Sequence, residues 1–395
     1  MAPFQRSRVP DIAPDIFEVY FRSYLEELRS ALSEIEPAAV ANVLRILERA
    51  RLERRQIFII GNGGSAATAS HMACDLGKGT VDYRNPGFTR FRAISLTDNT
   101  ALITALGNDL SFEDIFAEQL AAQMNDGDVV VFVSASGNSP NLVRAAHYAR
   151  SRGGELVGLL GFGGGALSDL VDHALVVSSR NYGLSEDSHL IVQHVLTQYL
   201  RRLLAGPARP VAFLDRDGVI NERPEPHQYL SSWEEFRWVD GILPLLRGLS
   251  DLGFALMVVT NQQGVGKGTL SEAALEVIHG EMTRTLELEG ITIARVLHCP
   301  HLEQDRCFCR KPRPGLIYRA LNEAPFLVDV PGSVLIGDAE SDMQAALGAG
   351  IGTRILVGHE EPGGAATHRV SSVSDVLGVI TRGMARFASA PGISA

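Results

Sequence analysis

The apolar run of residues 211–214 ends directly in Asp215-Arg216-Asp217-Gly218, and this junction limits the fold more than any other part of the sequence. A short, wholly apolar run is typical of a strand buried in a parallel sheet, which releases the residues after it at the carboxyl edge. Two carboxylates one residue apart repel each other unless a cation lies between them. The junction therefore predicts an α/β fold with an acidic cleft suited to Mg²⁺-assisted phosphoryl transfer.

Three later segments supply partners for this acidic pair. A second apolar run ends in Thr260 and Asn261, whose hydroxyl and amide could hold a phosphate oxygen. Lys311 offers an ammonium group that could neutralise a transferring phosphoryl group, and a third apolar run ends in Asp338. Because strands and helices alternate between these segments, a doubly wound parallel sheet would bring all of them to one edge.

The order and content of these motifs resemble the haloacid dehalogenase superfamily over residues 210–382. The resemblance implies that Asp215 is the nucleophile and Asp217 the general acid/base. It also implies two binding sets, which are Thr260, Asn261 and Lys311 for the phosphoryl group, and Asp215, Asp338 and the backbone carbonyl of Asp217 for Mg²⁺.

Three of the four cysteines lie within eleven residues and share that stretch with one histidine. Three thiolates and an imidazole are typical of a tetrahedral structural Zn²⁺ site. The alternatives are a disulfide or free thiols in a loop, and the scarcity of cysteine together with the lack of a signal peptide disfavours the disulfide. The expected zinc ligands are Cys299, His301, Cys307 and Cys309, so the metal would present the adjacent Arg310 to the substrate.

Two sequence patterns narrow the resemblance of the second half. Cys-Arg-Lys-Pro after the zinc loop and Thr-Asn-Gln-Gln-Gly after the second apolar run look like those of D-glycero-D-manno-heptose 1,7-bisphosphate phosphatases. This resemblance implies hydrolysis of the 1-phosphate of the bisphosphate. Histidinol-phosphate phosphatases share much of the pattern, so histidinol phosphate or another small phosphomonoester is the alternative substrate.

The first half contains two strand-to-helix turns suited to an anion. Each apolar run leads into a glycine-rich turn and a predicted helix start, where free N–H groups and the helix dipole favour negative charge. The first turn contains Asn62, Gly63 and Ser65, and the second contains three serines around a glycine, Ser134, Ser136 and Ser139. A cradle lined by hydroxyl groups suits a phosphate monoester.

These turns and the Thr97-Asp98-Asn99 turn resemble sugar isomerase (SIS) domains of the sedoheptulose 7-phosphate isomerase branch over residues 15–203. The resemblance implies a flavodoxin-like sheet, a sugar phosphate held by the serines, and Asp98 in the substrate site. The chemistry implied is an aldose–ketose proton shuttle, which needs a base for the carbon-bound proton and an acid for the oxygens. A metal could polarise the carbonyl.

Two helices carry the candidates for this shuttle. His71 and Asp75 are spaced i, i+4 and share one helix face. Glu186 and His194 lie eight residues apart on the last helix of this half. The resemblance implies Asp75 as base, His194 as acid and a Zn²⁺ site formed by all four residues, although relatives carry glutamate at the Asp75 position and glutamine at the Glu186 position. A competing i, i+4 pair on the last helix is His189 and Gln193.

The sequence is therefore interpreted as a bifunctional heptose-phosphate enzyme that supplies nucleotide-activated heptose for lipopolysaccharide or a related glycoconjugate. Its first half would interconvert sedoheptulose 7-phosphate and D-glycero-D-manno-heptose 7-phosphate. The departures at Asp75 and Glu186 motivate an alternative, in which the first half only binds phosphosugars and regulates the phosphatase. A homo-oligomer is expected, a tetramer built through the first half.

Charge and layout set further limits. The net charge of −10 argues against a nucleic-acid or anionic-membrane partner, and no apolar stretch approaches the roughly 20 residues that span a bilayer. The N-terminus lacks a hydrophobic signal core, so a cytoplasmic location is expected. The expected organisation is a disordered N-terminus (1–13), an SIS domain (14–204), a Pro/Gly linker (205–210), a phosphatase domain (211–382) and a disordered tail (383–395).

Overall fold

The structure is a computed structural model that describes residues 13–83, 85, 87–225, 228–358 and 364–388. The chain divides into two compact units between Ala205 and Gly206. None of the helices within the described ranges combines the length and apolar character that crossing a bilayer requires. The disorder expected at the termini falls mostly outside these ranges, but residues 383–388 belong to a helix that ends at Ala388, which differs from the expected tail.

The first unit is a five-stranded parallel sheet with helices on both faces. Its strands are β1 (Gln56–Gly61), β2 (Arg92–Ser95), β3 (Val129–Ser134), β4 (Glu155–Leu160) and β5 (His173–Val176). Its helices are α1 (Pro14–Ser33), α2 (Pro37–Leu52), α3 (Gly64–Cys74), α4 (Thr100–Asp109), α5 (Ala117–Gln123), α6 (Pro140–Ser151), α7 (Gly165–Leu170) and α8 (Tyr182–Leu204), with a π-helical turn at Asp75–Gly79. The strand order β2-β1-β3-β4-β5 is flavodoxin-like, as predicted.

Strand β1 shows why this apolar run forms a central strand. Ile57 and Ile59 pack into the core on one face of the sheet, and Phe58 and Ile60 pack into the core on the other. All four side chains are fully buried. Because successive residues of a strand point to opposite faces, only a sheet that is covered on both sides can bury such a run.

The second unit is a six-stranded parallel sheet. Its strands are β6 (Val211–Leu214), β7 (Ala255–Asn261), β8 (Ile293–Cys299), β9 (Val334–Gly337), β10 (Thr353–Val357) and β11 (His368–Val370). Its helices are α9 (Ile242–Asp251), α10 (Gln263–Gly266), α11 (Glu272–Leu288), α12 (Gly315–Glu323), α13 (Glu340–Gly348) and α14 (Val376–Ala388). The order β11-β10-β9-β6-β7-β8 is that of a doubly wound sheet, so the prediction of two such domains is confirmed.

Strand order brings the predicted motifs together in each unit. In the second sheet, β6 lies between β7 and β9, so Asp215, Thr260 and Asp338 follow or end neighbouring strands at the carboxyl edge. In the first sheet, β1 and β3 are neighbours, and the chain leaves them for α3 and α6. The strand order reverses between β1 and β3 in the first sheet and between β6 and β9 in the second. Ligand sites of open α/β sheets usually lie at the carboxyl ends of the strands beside such a reversal.

Candidate active sites

The centre of the second unit is an ion pair between Asp215 and Lys311. Lys311 Nζ lies 2.7 Å from Asp215 Oδ1, 2.5 Å from Asp342 Oδ1 and 2.9 Å from the carbonyl oxygen of Val259. Burial alone would lower the pKa of this lysine, but the two carboxylates outweigh it and raise the pKa. The ammonium group therefore stays charged beside the predicted nucleophile, where it can meet a transferring phosphoryl group.

Three carboxylates converge at the same edge. One oxygen each of Asp215, Asp338 and Asp342 lie within 4.8 Å of one another. Burial first, and then repulsion between the acids, raises the pKa of Asp215 to about 6 and that of Asp338 to about 7, although Lys311 acts in the opposite direction. A buried set of oxygen donors with this excess of negative charge fits a hard divalent cation such as Mg²⁺.

Asp217 turns its carboxylate away from this cluster. Its oxygens accept hydrogen bonds from Arg216, from Asn221 Nδ2 at 2.9 Å and from Gln262 Nε2 at 2.8 Å. Burial acts to raise the pKa of Asp217, but Arg216 and the amide donors outweigh it and hold the pKa below its usual range. Only its backbone carbonyl is then left for a metal, in line with the resemblance.

The residues that bind the Asp217 carboxylate are not among the candidates that the sequence predicts. Gln262 also donates to Thr260 Oγ1 at 3.0 Å, so one side chain links the predicted phosphate ligand and the predicted acid/base. A signal for it existed, because residues two apart along an extended chain point to the same side. Arg216 gave no such signal: it is fully buried, although arginine is among the residues least often buried.

Asn261 and Gly218 hold the backbone of the site. Asn261 exchanges two hydrogen bonds with the main chain of Lys311, at 3.1 and 3.2 Å, so its amide positions the lysine. The sequence predicts that Asn261 binds phosphate directly. In the structure, however, these two hydrogen bonds to the main chain engage both the oxygen and the nitrogen of its side-chain amide. Gly218 has φ +90°, and a Cβ at this position would overlap with Asp338 Oδ2. Only glycine fits there.

His279 supports Arg216 from behind the site. Its Nε2 lies 3.2 Å from Arg216 Nη1 and can accept a hydrogen bond only when the imidazole is neutral. Burial and the charge of Arg216 lower the pKa of His279 to about 3, and His298 beside it acts in the same direction. A histidine in the unfolded chain titrates near 6.5. Between these values the unfolded chain binds a proton that the folded protein excludes, so stability falls as the pH drops from 6.5 towards 3.

We expect His279→Asn to flatten this acid dependence. Asparagine keeps an acceptor for Arg216 but does not titrate, so the midpoint of thermal unfolding should fall less between pH 7 and pH 5 than in the wild-type protein. The measurement is thermal unfolding followed by circular dichroism across that range. His368→Asn, at an exposed histidine of the same unit, is the control and should follow the wild type. Equal slopes for all three proteins would contradict the assignment.

The predicted zinc ligands form one compact cluster. The sulfur atoms of Cys299, Cys307 and Cys309 are 3.4 to 3.6 Å apart, and His301 Nδ1 lies 3.3 Å from Cys309 Sγ and 3.6 Å from Cys299 Sγ. A tetrahedron with metal–sulfur bonds of about 2.3 Å has edges of about 3.8 Å, so the donors are arranged as a zinc site requires. None of these cysteines is disulfide-bonded.

The first unit builds the predicted anion cradle at the ends of β1 and β3. Ser134 Oγ accepts from the backbone N–H of Gly137 at 3.0 Å, and Ser136 Oγ accepts from that of Asn138 at 3.3 Å. Because both hydroxyl groups act as acceptors within the turn, their hydrogens remain available to an anion. Ser139 occupies the N-cap of α6 without a capping bond from its side chain.

The remaining members of the cradle lie on the first turn and beside it. Ser65 is buried in the first turn of α3, two residues after the N-cap Gly63, which has φ +57°. Asn62 and Asn141 exchange two side-chain hydrogen bonds of 2.9 Å, which fixes the two turns relative to each other. Asp98 accepts a hydrogen bond from Ser70 and lines a cavity of about 730 Å³.

Three of the four proposed isomerase residues come together. His71 Nε2 and His194 Nε2 lie 3.6 and 4.0 Å from Asp75 Oδ2 and 3.3 Å from each other. Gln193 is fully buried and donates to Asp75 Oδ2 at 2.8 Å. The competing pair therefore divides: Gln193 holds the predicted base, whereas His189 is buried and does not belong to this cluster.

Glu186 does not join this cluster, which corrects the four-residue zinc set of the sequence interpretation. Its carboxylate packs over the backbone of Gly64 at the start of α3. Eight residues of an α-helix span about 12 Å along its axis, so Glu186 lies about two turns before His194. The two residues share a face of α8, but the carboxylate of Glu186 is directed to Gly64 and not to the cluster of His71, Asp75 and His194.

Comparisons with known proteins identify relatives of both units. The family model described as SIS domain matches residues 20–161, and the one described as HAD-hydrolase-like matches residues 308–375. A phosphoheptose isomerase from Geobacter sulfurreducens is 35% identical over 184 residues, which are 46% of this chain and 93% of that protein. The D-glycero-β-D-manno-heptose-1,7-bisphosphate 7-phosphatase of Escherichia coli K12 is 38% identical over 160 residues, which are 39% of this chain and 81% of the relative.

A solved structure of a D,D-heptose 1,7-bisphosphate phosphatase from B. bronchiseptica, complexed with magnesium and phosphate, is 29% identical to this chain. The match between the two covers 44% of this chain and 99% of the chain in that structure, with a TM-score of 0.40.

Fold, sites and relatives together define an enzyme that fuses an SIS-domain isomerase unit to a haloacid dehalogenase-like phosphatase unit. The chain belongs to the phosphoheptose isomerase family in its first half and to the heptose-1,7-bisphosphate phosphatase family in its second half.

Proposed function

We propose that this chain catalyses two steps of nucleotide-heptose synthesis. The first half converts sedoheptulose 7-phosphate into D-glycero-D-manno-heptose 7-phosphate, and the second hydrolyses one phosphate of the corresponding 1,7-bisphosphate. The observation that carries the proposal is that candidate catalytic groups converge in each unit: Asp75 with His71 and His194 in one, and Asp215 with Lys311 and Asp338 in the other.

The position of hydrolysis requires a correction. The sequence interpretation expected attack at the 1-phosphate, but the Escherichia coli relative is a 7-phosphatase. We therefore assign the 7-phosphate as the group removed and heptose 1-phosphate as the product. A kinase must act between the two steps of this chain, since the isomerase product carries one phosphate and the phosphatase substrate carries two.

The phosphatase step follows from the roles of three residues. Asp215 attacks phosphorus, and the bond between phosphorus and the sugar oxygen breaks while Asp217 gives that oxygen a proton. Water then attacks the aspartyl phosphate and loses a proton to Asp217, which releases inorganic phosphate and restores Asp215. Lys311 holds the phosphoryl oxygens. Asp215, Asp338 and the carbonyl of Asp217 would hold Mg²⁺, which supplies charge neutralisation for the phosphoryl group.

The isomerase step needs only proton transfers. Asp75 removes a proton from C1 of the ketose, and His194 moves a proton between the two oxygens of the resulting enediol. Return of a proton to C2 gives the aldose, so no other reactant is consumed. His71, Asp75 and His194 offer donors to a zinc ion that would polarise the carbonyl group.

Product analysis tests both activities of the one chain. We expect nuclear magnetic resonance to show heptose 7-phosphate formed from sedoheptulose 7-phosphate, and heptose 1-phosphate formed from the bisphosphate. A higher catalytic efficiency on histidinol phosphate than on heptose bisphosphate would reject the substrate assigned to the second half. Tight binding of sedoheptulose 7-phosphate without loss of label from its C1 would show that the first half is a binding module.

The Cys₃His cluster is proposed to hold a structural zinc ion. Cys307→Ser should remove one equivalent of zinc per chain, measured by elemental mass spectrometry. It should also lower phosphatase activity, because Arg310 and Lys311 follow the cluster directly. Cys74→Ser is the matched control, since this fourth cysteine lies outside the cluster, and it should keep the wild-type zinc content. Unchanged zinc in Cys307→Ser would contradict the site.

Assembly through the first half is proposed to give a tetramer. Helix α1 exposes more than half of each of four large apolar side chains, Ile16, Phe17, Val19 and Tyr20. An apolar patch of this kind is typical of a face covered by another protein surface. Mass photometry should give about four times the 42.6 kDa of one chain, and a single-chain mass at micromolar concentration would reject the assembly.

A further inference from the structure

Arg223 stands at the phosphatase site without a role in the chemistry described above. Its Nη2 donates to Asp338 Oδ1 at 2.7 Å, and its side chain is 57% exposed. It also lines a cavity of about 330 Å³ whose wall includes Asp217 and Arg310. The same guanidinium therefore touches a predicted metal ligand and borders the space beside the acid/base.

The ion pair with Asp338 places Arg223 in competition with a metal ion. Asp338 is one of three acids whose oxygens converge as a divalent cation requires. A guanidinium in contact with that carboxylate would lie within a few ångströms of the ion, where two positive charges repel strongly. Mg²⁺ also demands near-ideal ligand geometry, so it does not share a carboxylate oxygen readily. Binding of Mg²⁺ should therefore release the arginine from Asp338.

The cavity beside Arg223 could hold an anion that the released Arg223 side chain would bind. Arg310 on its wall makes long contacts of 3.4 Å to Gln263 Oε1 and to the carbonyl oxygen of His301. Lys267 lies 5.4 Å from the ring centre of Tyr229, which is part of the same wall. A guanidinium group can form bidentate hydrogen bonds with a phosphate group. Two such groups beside one cavity, Arg223 and Arg310, therefore suit a phosphate monoester.

We propose that Arg223 moves from Asp338 to the second, unreacted phosphate of the substrate when Mg²⁺ binds, and that with Arg310 it forms the subsite that selects bisphosphates over monophosphates. This inference rests on the proposed function, since it requires a substrate with a phosphate at each end. Arg223 is a specificity-determining residue in this scheme and takes no part in the transfer of the reacting phosphate.

The first test compares two substrates that differ only in the distal phosphate, heptose 1,7-bisphosphate and heptose 7-phosphate. In Arg223→Gln, the ratio of kcat/KM for the bisphosphate to that for the monophosphate should fall by about 10- to 100-fold, the value of one charge-assisted hydrogen bond. Arg247→Gln is the control, since Arg247 pairs with Glu289 on the surface of the same unit. An unchanged ratio in Arg223→Gln would overturn the subsite.

The second test is calorimetric titration of the substrate-free protein with Mg²⁺ alone. Removal of a competing cation should tighten Mg²⁺ binding in Arg223→Gln by about 3- to 10-fold, whereas Arg247→Gln should match the wild type. Equal or weaker binding in Arg223→Gln would overturn the exchange. A wild-type protein that does not prefer the bisphosphate would instead reject the proposed function, and the titration would still decide whether Arg223 and Mg²⁺ compete.

Discussion

Replacing Asp215 by asparagine should lower phosphate release from the bisphosphate by at least about 10⁴-fold, which is the scale of loss when a catalytic nucleophile is removed. The amide has nearly the same size and can still accept a hydrogen bond from Lys311, but it cannot attack phosphorus. Isomerisation should be retained, because Asp215 belongs to the second unit and the isomerase cluster to the first. Phosphate release and isomerisation are measured on the same preparation.

The control for this variant is Asp251→Asn, which makes the same chemical change at an exposed position at the end of α9. It should keep both activities. Loss of both activities in Asp215→Asn would show that the two sites are not independent. Phosphatase activity close to that of the wild type would show that Asp215 is not the nucleophile.

Asp75→Asn should lower isomerisation by about 10²- to 10⁴-fold, the usual contribution of a positioned general base. Asparagine retains an oxygen for the hydrogen bonds from Gln193 and Thr197 but cannot remove a proton from carbon. The measurement is exchange of deuterium from solvent into C1 of sedoheptulose 7-phosphate, together with formation of the aldose. Phosphatase activity should stay at the wild-type level.

Asp126→Asn is the control for the first unit, because Asp126 is an exposed partner of Arg152 away from the isomerase cluster. If Asp75→Asn isomerised and exchanged label as fast as this control, another group would have to be the base. Binding of the ketose phosphate, followed by calorimetry, should survive in both variants, since the serine cradle lies on the turns after β1 and β3.

The fold and the position of both sites could be predicted from the sequence because they depend on local patterns. The apolar runs before Asp215 and Asp338 bury both faces, so they had to become inner strands, and parallel strands release such residues at one edge. The Cys₃His cluster could be predicted in the same way, since three cysteines and a histidine within eleven residues are typical of a metal site.

The partners of the catalytic groups depended instead on tertiary neighbours. Arg216 lies between Asp217 and a histidine 63 residues later in the chain, and no local pattern relates them. Glu186 shows a related failure, because its spacing from His194 predicts a shared helix face but not which neighbouring element its side chain contacts. The structure places its carboxylate over Gly64, a tertiary neighbour that no local pattern relates to it.

The division of the chain at Ala205 and Gly206 has a consequence for the cell. Each unit has its own sheet and its own cores, yet translation produces them as one molecule in a fixed ratio of one to one. Expression of this gene therefore cannot change the amount of one unit relative to the other. Any difference in rate between the two proposed activities therefore has to arise from the turnover of the individual sites.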